Sequence, residues 1–113
     1  MTERLPAHVE AGGFIRRAQA EGGFAAILKK GDPDRGALVL IVRDKGELYG
    51  ILERELGSDF TYAWSFKRLD ARAEHDSVAD LIARKERFDP DLWLIELDIA
   101  EPERFIAETT PPG

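Results

Sequence analysis

A chain of 113 residues in which 34% of side chains are charged and 43% apolar has room for one domain with one core; it is too apolar for a disordered tail and too charged for a membrane protein. The absence of cysteine excludes disulfides, thiolate metal sites and thiol nucleophiles, and two histidines, His8 and His75, leave little for a zinc cluster. The net charge of −6 arises in the C-terminal quarter, where Arg104 alone faces seven carboxylates, and this argues against non-specific phosphate binding by the whole molecule. Residues 1–10 hold charge and Pro6 but no apolar run of a secretory signal, and nowhere do about 18 apolar residues follow one another, so the chain reads as cytoplasmic and without a membrane span.

Pro6 fits the first turn of a helix, and Ala11, Phe14, Ile15 and Ala18 recur at helical spacing, which predicts a helix over about 7–21 that stops at Gly22 and Gly23. Gly12 and Gly13 conflict with that stripe, since each costs a helix interior about 1 kcal/mol relative to alanine. They call for a late start or for something packed closely against them. Phe24 to Lys30 reads as a strand, joined through the turn-rich run Gly31-Asp32-Pro33-Asp34-Arg35-Gly36 to a second strand at Ala37 to Arg43. The second strand is apolar on both faces and belongs in the middle of a sheet.

Asp44-Lys45-Gly46 turns the chain into a half-buried strand over Glu47 to Leu56, with Leu48, Gly50, Leu52 and Leu56 on one face. Beyond Gly57-Ser58-Asp59, Phe60, Tyr62, Trp64 and Phe66 share a face. Four strands with short connections predict an antiparallel meander. A second helix starts near Asp76 or Ser77, carries Val78, Leu81 and Ile82 on one stripe and ends before Pro90. Leu92 to Ile99 reads as a fifth, well-buried strand, Glu101-Pro102-Glu103 opens a short closing helix, and 109–113 is a frayed tail. The expected fold is a single α+β domain in the order αββββαβα, mainly an antiparallel sheet of about five strands packed by two helices and a short C-terminal helix on one face.

Arg17, Ala18, Gly22-Gly23-Phe24-Ala25-Ala26, Gly31-Asp32, Glu53-Arg54, Trp64, the run Arg87-Phe88-Asp89-Pro90-Asp91-Leu92-Trp93-Leu94-Ile95-Glu96-Leu97-Asp98 and Arg104-Phe105 together resemble the small bacterial domain-of-unknown-function family 1491 (DUF1491). The likeness spans nearly the whole chain, and its most specific part is Phe88 to Asp98. It implies a compact intracellular bacterial protein and no activity or catalytic residues.

Asp89, Asp91, Glu96 and Asp98 are the densest carboxylates, of the oxygen-rich kind that Mg²⁺ or Ca²⁺ requires, but a hydrophobic strand separates the two pairs and no ion-binding loop spacing is present. Capping by Asp89 and cross-strand pairing by Glu96 and Asp98 account for them better. A Glu96/Asp98 acid–base pair lacks any sign of a pocket. The aromatic row of Tyr62 and Trp64 beside Lys67 and Arg68 invites comparison with sheets that stack single-stranded bases, yet the ribonucleoprotein consensus is missing. The glycine-bounded loop Gly31–Gly36 lacks the lysine and the following helix of a phosphate cradle.

The reading is therefore a small cytoplasmic, non-enzymatic binding or protein-interaction domain whose partner is another protein or a second copy, with no catalytic residue, cofactor or metal assigned. Its interaction surface draws on Tyr62, Trp64, Asp89, Asp91, Glu96 and Asp98. The alternative is a divalent-metal-dependent hydrolase using the Asp89 to Asp98 carboxylates; single-stranded nucleic-acid binding ranks below both.

Overall fold

A segment as apolar on both faces as Leu38–Asp44 must have strands on either side and helices above and below, and it forms the centre of the sheet. The computed structural model describes residues 5–70 and 78–111. Along the described chain run α1 (Ala7–Ala20), β1 (Phe24–Lys29), β2 (Leu38–Asp44), β3 (Glu47–Leu56), β4 (Tyr62–Arg68), α2 (Val78–Phe88), β5 (Trp93–Asp98) and α3 (Pro102–Thr109). The α+β class and the order αββββαβα are as expected. The proposed start of α2 at Asp76 or Ser77 lies outside the described residues, as does His75.

The sheet order is β1-β5-β2-β3-β4. β5 pairs antiparallel with β1 and parallel with β2, while β2-β3-β4 form an antiparallel meander. This corrects the expected four-strand meander: β1 and β2 are not hairpin partners, because β5, apolar on both sides from Trp93 to Ile95, takes the fully buried slot between them. Leu92 to Ile95 are all buried. A place at the sheet edge would leave these side chains and the strand's backbone in water.

Helices cover both faces, and this corrects the expectation of a single covered face. On one side α1 and α3 pack Ala11, Ala18 and Phe105 against Leu40, Leu52 and Leu97. On the other, Leu81 of α2 meets Ile41, Leu48, Ile51 and Leu69, and Ile82 meets Val39 and Leu94. Each fully buried aliphatic side chain contributes about 1.5–3 kcal/mol relative to exposure.

β3 serves both layers through a bulge. Val42 pairs with Gly50 and Arg43 with Leu48, so Tyr49 is an extra residue. The slip places Leu48 with Ile51 under α2 and Leu52 under α1, and so breaks the predicted face of Leu48, Gly50, Leu52 and Leu56.

The aromatic row also divides. Trp64 and Phe66 pack on the α1 side, where Trp64 meets Phe14 edge to face at 5.2 Å. Tyr62 is exposed, and Phe60 lies before the strand at φ 62°, inside a turn closed by Gly57 N–H on Thr61 O and by Thr61 donating twice to Asp59 Oδ1. Those two bonds, the hydroxyl's first, hold the Asp59 carboxyl below its ordinary value.

α1 begins at Ala7 with Pro6 as its N-cap and ends where Gly22 turns at φ 81°. The helix does not start late; a Cβ at Gly12 would stand 3.2 Å from the Arg16 guanidinium of the same helix, so the close approach holds there, whereas a Cβ at Gly13 would meet nothing within 4 Å. Arg17 ties α1 to α3, donating to Phe105 O and Thr109 Oγ1 at 2.9 Å each with its guanidinium 3.8 Å from the Phe105 ring centre.

Candidate functional site

Two stretches singled out by the sequence, Gly31–Gly36 and Phe88–Asp98, meet in space. Asp32 N–H donates to Asp91 O at 2.9 Å, Trp93 Nε1 to Asp32 O at 2.8 Å, and Trp93 N–H to Ala37 O at 2.7 Å. Lys29 Nζ reaches back to Leu92 O at 3.0 Å and also to Pro90 O. Glycine is required at Gly31 and Gly36, where a Cβ would stand 2.1 and 2.6 Å from Asp91 O.

The loop is also held from within. Asp32 Oδ1 accepts the N–H groups of Arg35 at 2.8 Å and Asp34 at 2.9 Å, an Asx turn, and those two bonds, Arg35's first, hold the Asp32 carboxyl below its usual range. The start of α1 is fastened to it through Ala7 N–H on Asp34 O and His8 N–H on Pro33 O; the His8 imidazole Nδ1 lies 2.9 Å from Pro33 O.

The four carboxylates fall at the two ends of β5. At its start Asp89 Oδ1 accepts Asp91 N–H at 3.1 Å, which shapes the turn from α2 into β5, and Asp91 is exposed. At its far end Glu96 accepts from Arg43 Nε of the parallel neighbour β2 at 2.9 Å, and Asp98 Oδ2 accepts Gly46 N–H of the β2–β3 turn at 2.8 Å. Among the described residues no three histidine or carboxylate side chains converge as a metal set. Tyr62 and Trp64 lie on edge strand β4; Arg54, paired with Glu10, spreads its guanidinium 4.5 Å from the Trp64 ring centre.

Beside the clasp, a groove of about 420 Å³ runs between the C-terminal half of α2 and the sheet. Val39, Leu81 and Leu92 give it apolar walls, and Phe88, 88% exposed, stands at its margin. Glu53 and Lys85 cross it as an ion pair at 2.6 Å, and Lys67, Arg84 and Asp89 complete the lining. A second hollow of about 340 Å³, lined in part by Tyr62, shares Ala37, Val39 and Glu53 with it. Of the residues expected to form an interaction surface, Asp89 and Tyr62 thus reach this region, while Glu96 and Asp98 sit at the opposite end of β5. Sequence reasoning missed the groove, because its walls come from β2, β3, β4 and α2 together; the unpaired periodicity of Phe88 at the end of the α2 stripe was the available signal.

A larger polar depression of about 660 Å³ lies at the other end of the sheet, around Asp44, Tyr49 and Arg68. There the Tyr49 hydroxyl donates to Glu103 at 3.3 Å under the Arg68 guanidinium, 3.8 Å from the ring centre. Desolvation, then the charge and hydrogen bond of Glu103, push that hydroxyl's pKa up, so it is a neutral donor at neutral pH.

Several basic side chains of the chain are dispersed among separate partners. Lys29 caps carbonyls, Arg68 donates to Tyr49 O and Lys85 pairs with Glu53, while Arg72 lies outside the described residues.

The sequence profile of a family described as "Protein of unknown function (DUF1491)" matches residues 5–107. The fold is similar to the crystal structure of a DUF1491 family protein from Caulobacter crescentus CB15, with a TM-score of 0.71 and 24% identity over 86% of this chain and 90% of that one. It is also similar to the solution structure of protein Atu0922 from A. tumefaciens, with a TM-score of 0.68 and 28% identity over 85% and 86% of the two chains. An NMR structure of a DUF1491 family protein from C. crescentus CB15 gives a TM-score of 0.68 and 27% identity over 87% and 88%. No curated protein matches the sequence.

Proposed function

The chain belongs to the DUF1491 family, which carries no assigned activity, and within it we propose that this protein is a non-enzymatic protein-interaction domain that associates with a second copy through the open edge of β1. The observation that carries this reading is the character of that strand. Among the described residues β1 pairs on one side only, with β5, and Phe24, Ile27 and Leu28 are 77%, 42% and 47% exposed.

An edge strand offers its unpaired N–H and C=O groups to any chain that can lie alongside, and proteins usually blunt it with charge or proline. β1 has neither before Lys29, whose ammonium is turned inward onto the Pro90 and Leu92 carbonyls. β4, the opposite edge, ends in Lys67 and Arg68 and keeps Trp64 and Phe66 half-buried. α2 lies over β2 and β3 and leaves the Phe24 side of β1 open.

An antiparallel β1–β1 pairing about a two-fold axis places the same patch on both subunits and closes on itself. It would bury roughly 600 Å² per partner, toward the lower end of specific interfaces. The charge of −6 on each chain opposes association, so salt is expected to strengthen the dimer.

Light scattering after size exclusion, over a concentration series, tests the reading. Dimer is expected, and Ile27→Lys or Phe24→Glu should return a folded monomer whose melting temperature no longer depends on protein concentration. A strict monomer up to about 1 mM, where even association of roughly −4 kcal/mol is visible, would overturn it.

A further inference from the structure

We infer that the groove under the C-terminal half of α2 binds a small amphiphilic anion, a compact apolar or aromatic body bearing one carboxylate or sulfonate. This goes beyond the self-association above and rests on separate residues. The groove's volume of about 420 Å³ lies within the range of roughly 300–1,000 Å³ typical of small-molecule sites.

The lining has two parts. Val39, Leu81 and Leu92 are buried apolar walls, and the Phe88 ring projects at their margin without a ring partner among the described residues. The charges along the groove do not cancel. Lys67, Arg84 and Lys85 stand against Glu53 and Asp89, a net charge of +1; Glu53 pairs with Lys85, and Asp89 has one carboxylate oxygen engaged by Asp91 N–H. Lys67 and Arg84 line the same groove with no ion-pair partner among the described residues. A net positive lining beside apolar walls attracts a ligand that is negative at one end and apolar at the other.

The floor also discriminates against an extended peptide. Val39 pairs with Glu53 on one side and Leu94 on the other, so the strand beneath the groove has no free edge to which a peptide backbone could bond. A compact molecule makes no such demand.

The experiment is an amide-shift titration of the isotope-labelled full chain with anilinonaphthalene sulfonate, repeated with octanoate. Saturable shifts are expected at Val39, Lys67, Leu81, Arg84 and Phe88. Lys67→Glu with Arg84→Glu should weaken binding by about tenfold or more, whereas Arg16→Glu, a charge reversal of equal sign at an exposed site on α1, should leave it unchanged. Lys67 and Arg84 are exposed, so the double variant is expected to fold; Phe88→Ala, expected to weaken the sulfonate by about threefold, is a second probe that alters no charge. Shifts centred on Phe24 and Ile27, equal weakening by Arg16→Glu, or binding of a glutamate-rich peptide but of neither small anion would each overturn the assignment.

Discussion

Trp93 and Asp32, 61 residues apart, are joined by an indole N–H donated to a backbone carbonyl at 2.8 Å. The bond ties the first residue of the inserted strand β5 to the long connection between β1 and β2. Trp93→Phe keeps an aromatic ring in the core, removes the donor and gives up some of the indole's apolar contacts. Urea denaturation should show a loss of about 1–2 kcal/mol with no change in the denaturant slope.

The same loop contains a pH-sensitive anchor. Asp32 accepts two backbone N–H groups as a carboxylate and has a lowered folded-state pKa. Its contribution to stability is fully present above the unfolded value of about 3.9 and is lost as pH falls through the lower folded value. The stability advantage of wild type over Asp32→Asn should therefore be constant at neutral pH and shrink below about pH 4. An advantage that grows on acidification would contradict this assignment.

Two glycine substitutions should move stability in opposite directions. At Gly13 a Cβ meets open space within a regular helix, so Gly13→Ala should stabilise by about 0.5–1 kcal/mol and raise the melting temperature by a few degrees. At Gly31 the Cβ would stand 2.1 Å from Asp91 O, and relief requires the clasp to separate. Gly31→Ala should cost about 2 kcal/mol or more in thermal or chemical melts.

Phe88 and Phe105 make a matched pair for separating surface from core. Phe105 is fully buried between α1 and the sheet, and Phe105→Ala should cost about 3–5 kcal/mol. Phe88 is exposed at the groove margin, and Phe88→Ala should alter stability by less than about 0.5 kcal/mol.

The elements and their order were legible because period-two and period-3.6 patterns survive in short segments: Leu38 to Val42 apolar on both faces, and Ala11 to Ala18 on one stripe. The partner of β1 was not legible. Local turn chemistry in Gly31–Gly36 suggested a hairpin, whereas the burial of both faces of β5, a tertiary effect, decided the pairing. The extra residue Tyr49 was likewise hidden, since a bulge leaves no gap in the sequence and reassigns every side chain before it to the other face. For the site, Asp89 and Tyr62 could be named singly, but the groove between them and the roles of Lys67, Arg84 and Phe88 depend on how α2 lies across the sheet. Glu96 and Asp98, two apart on one strand, proved to have separate partners in Arg43 and Gly46.

The late position of β5 in the chain governs how the molecule is made. A ribosome that has released the first 90 residues has supplied every other strand, yet β1 then has nothing to zip onto and the parallel side of β2 is bare. The closing segment is expected to enter between two waiting strands and complete the layer in one event. Nascent chains halted before Trp93 are expected to be protease-sensitive and prone to clumping, while those extended past Asp98 become resistant together along their whole length.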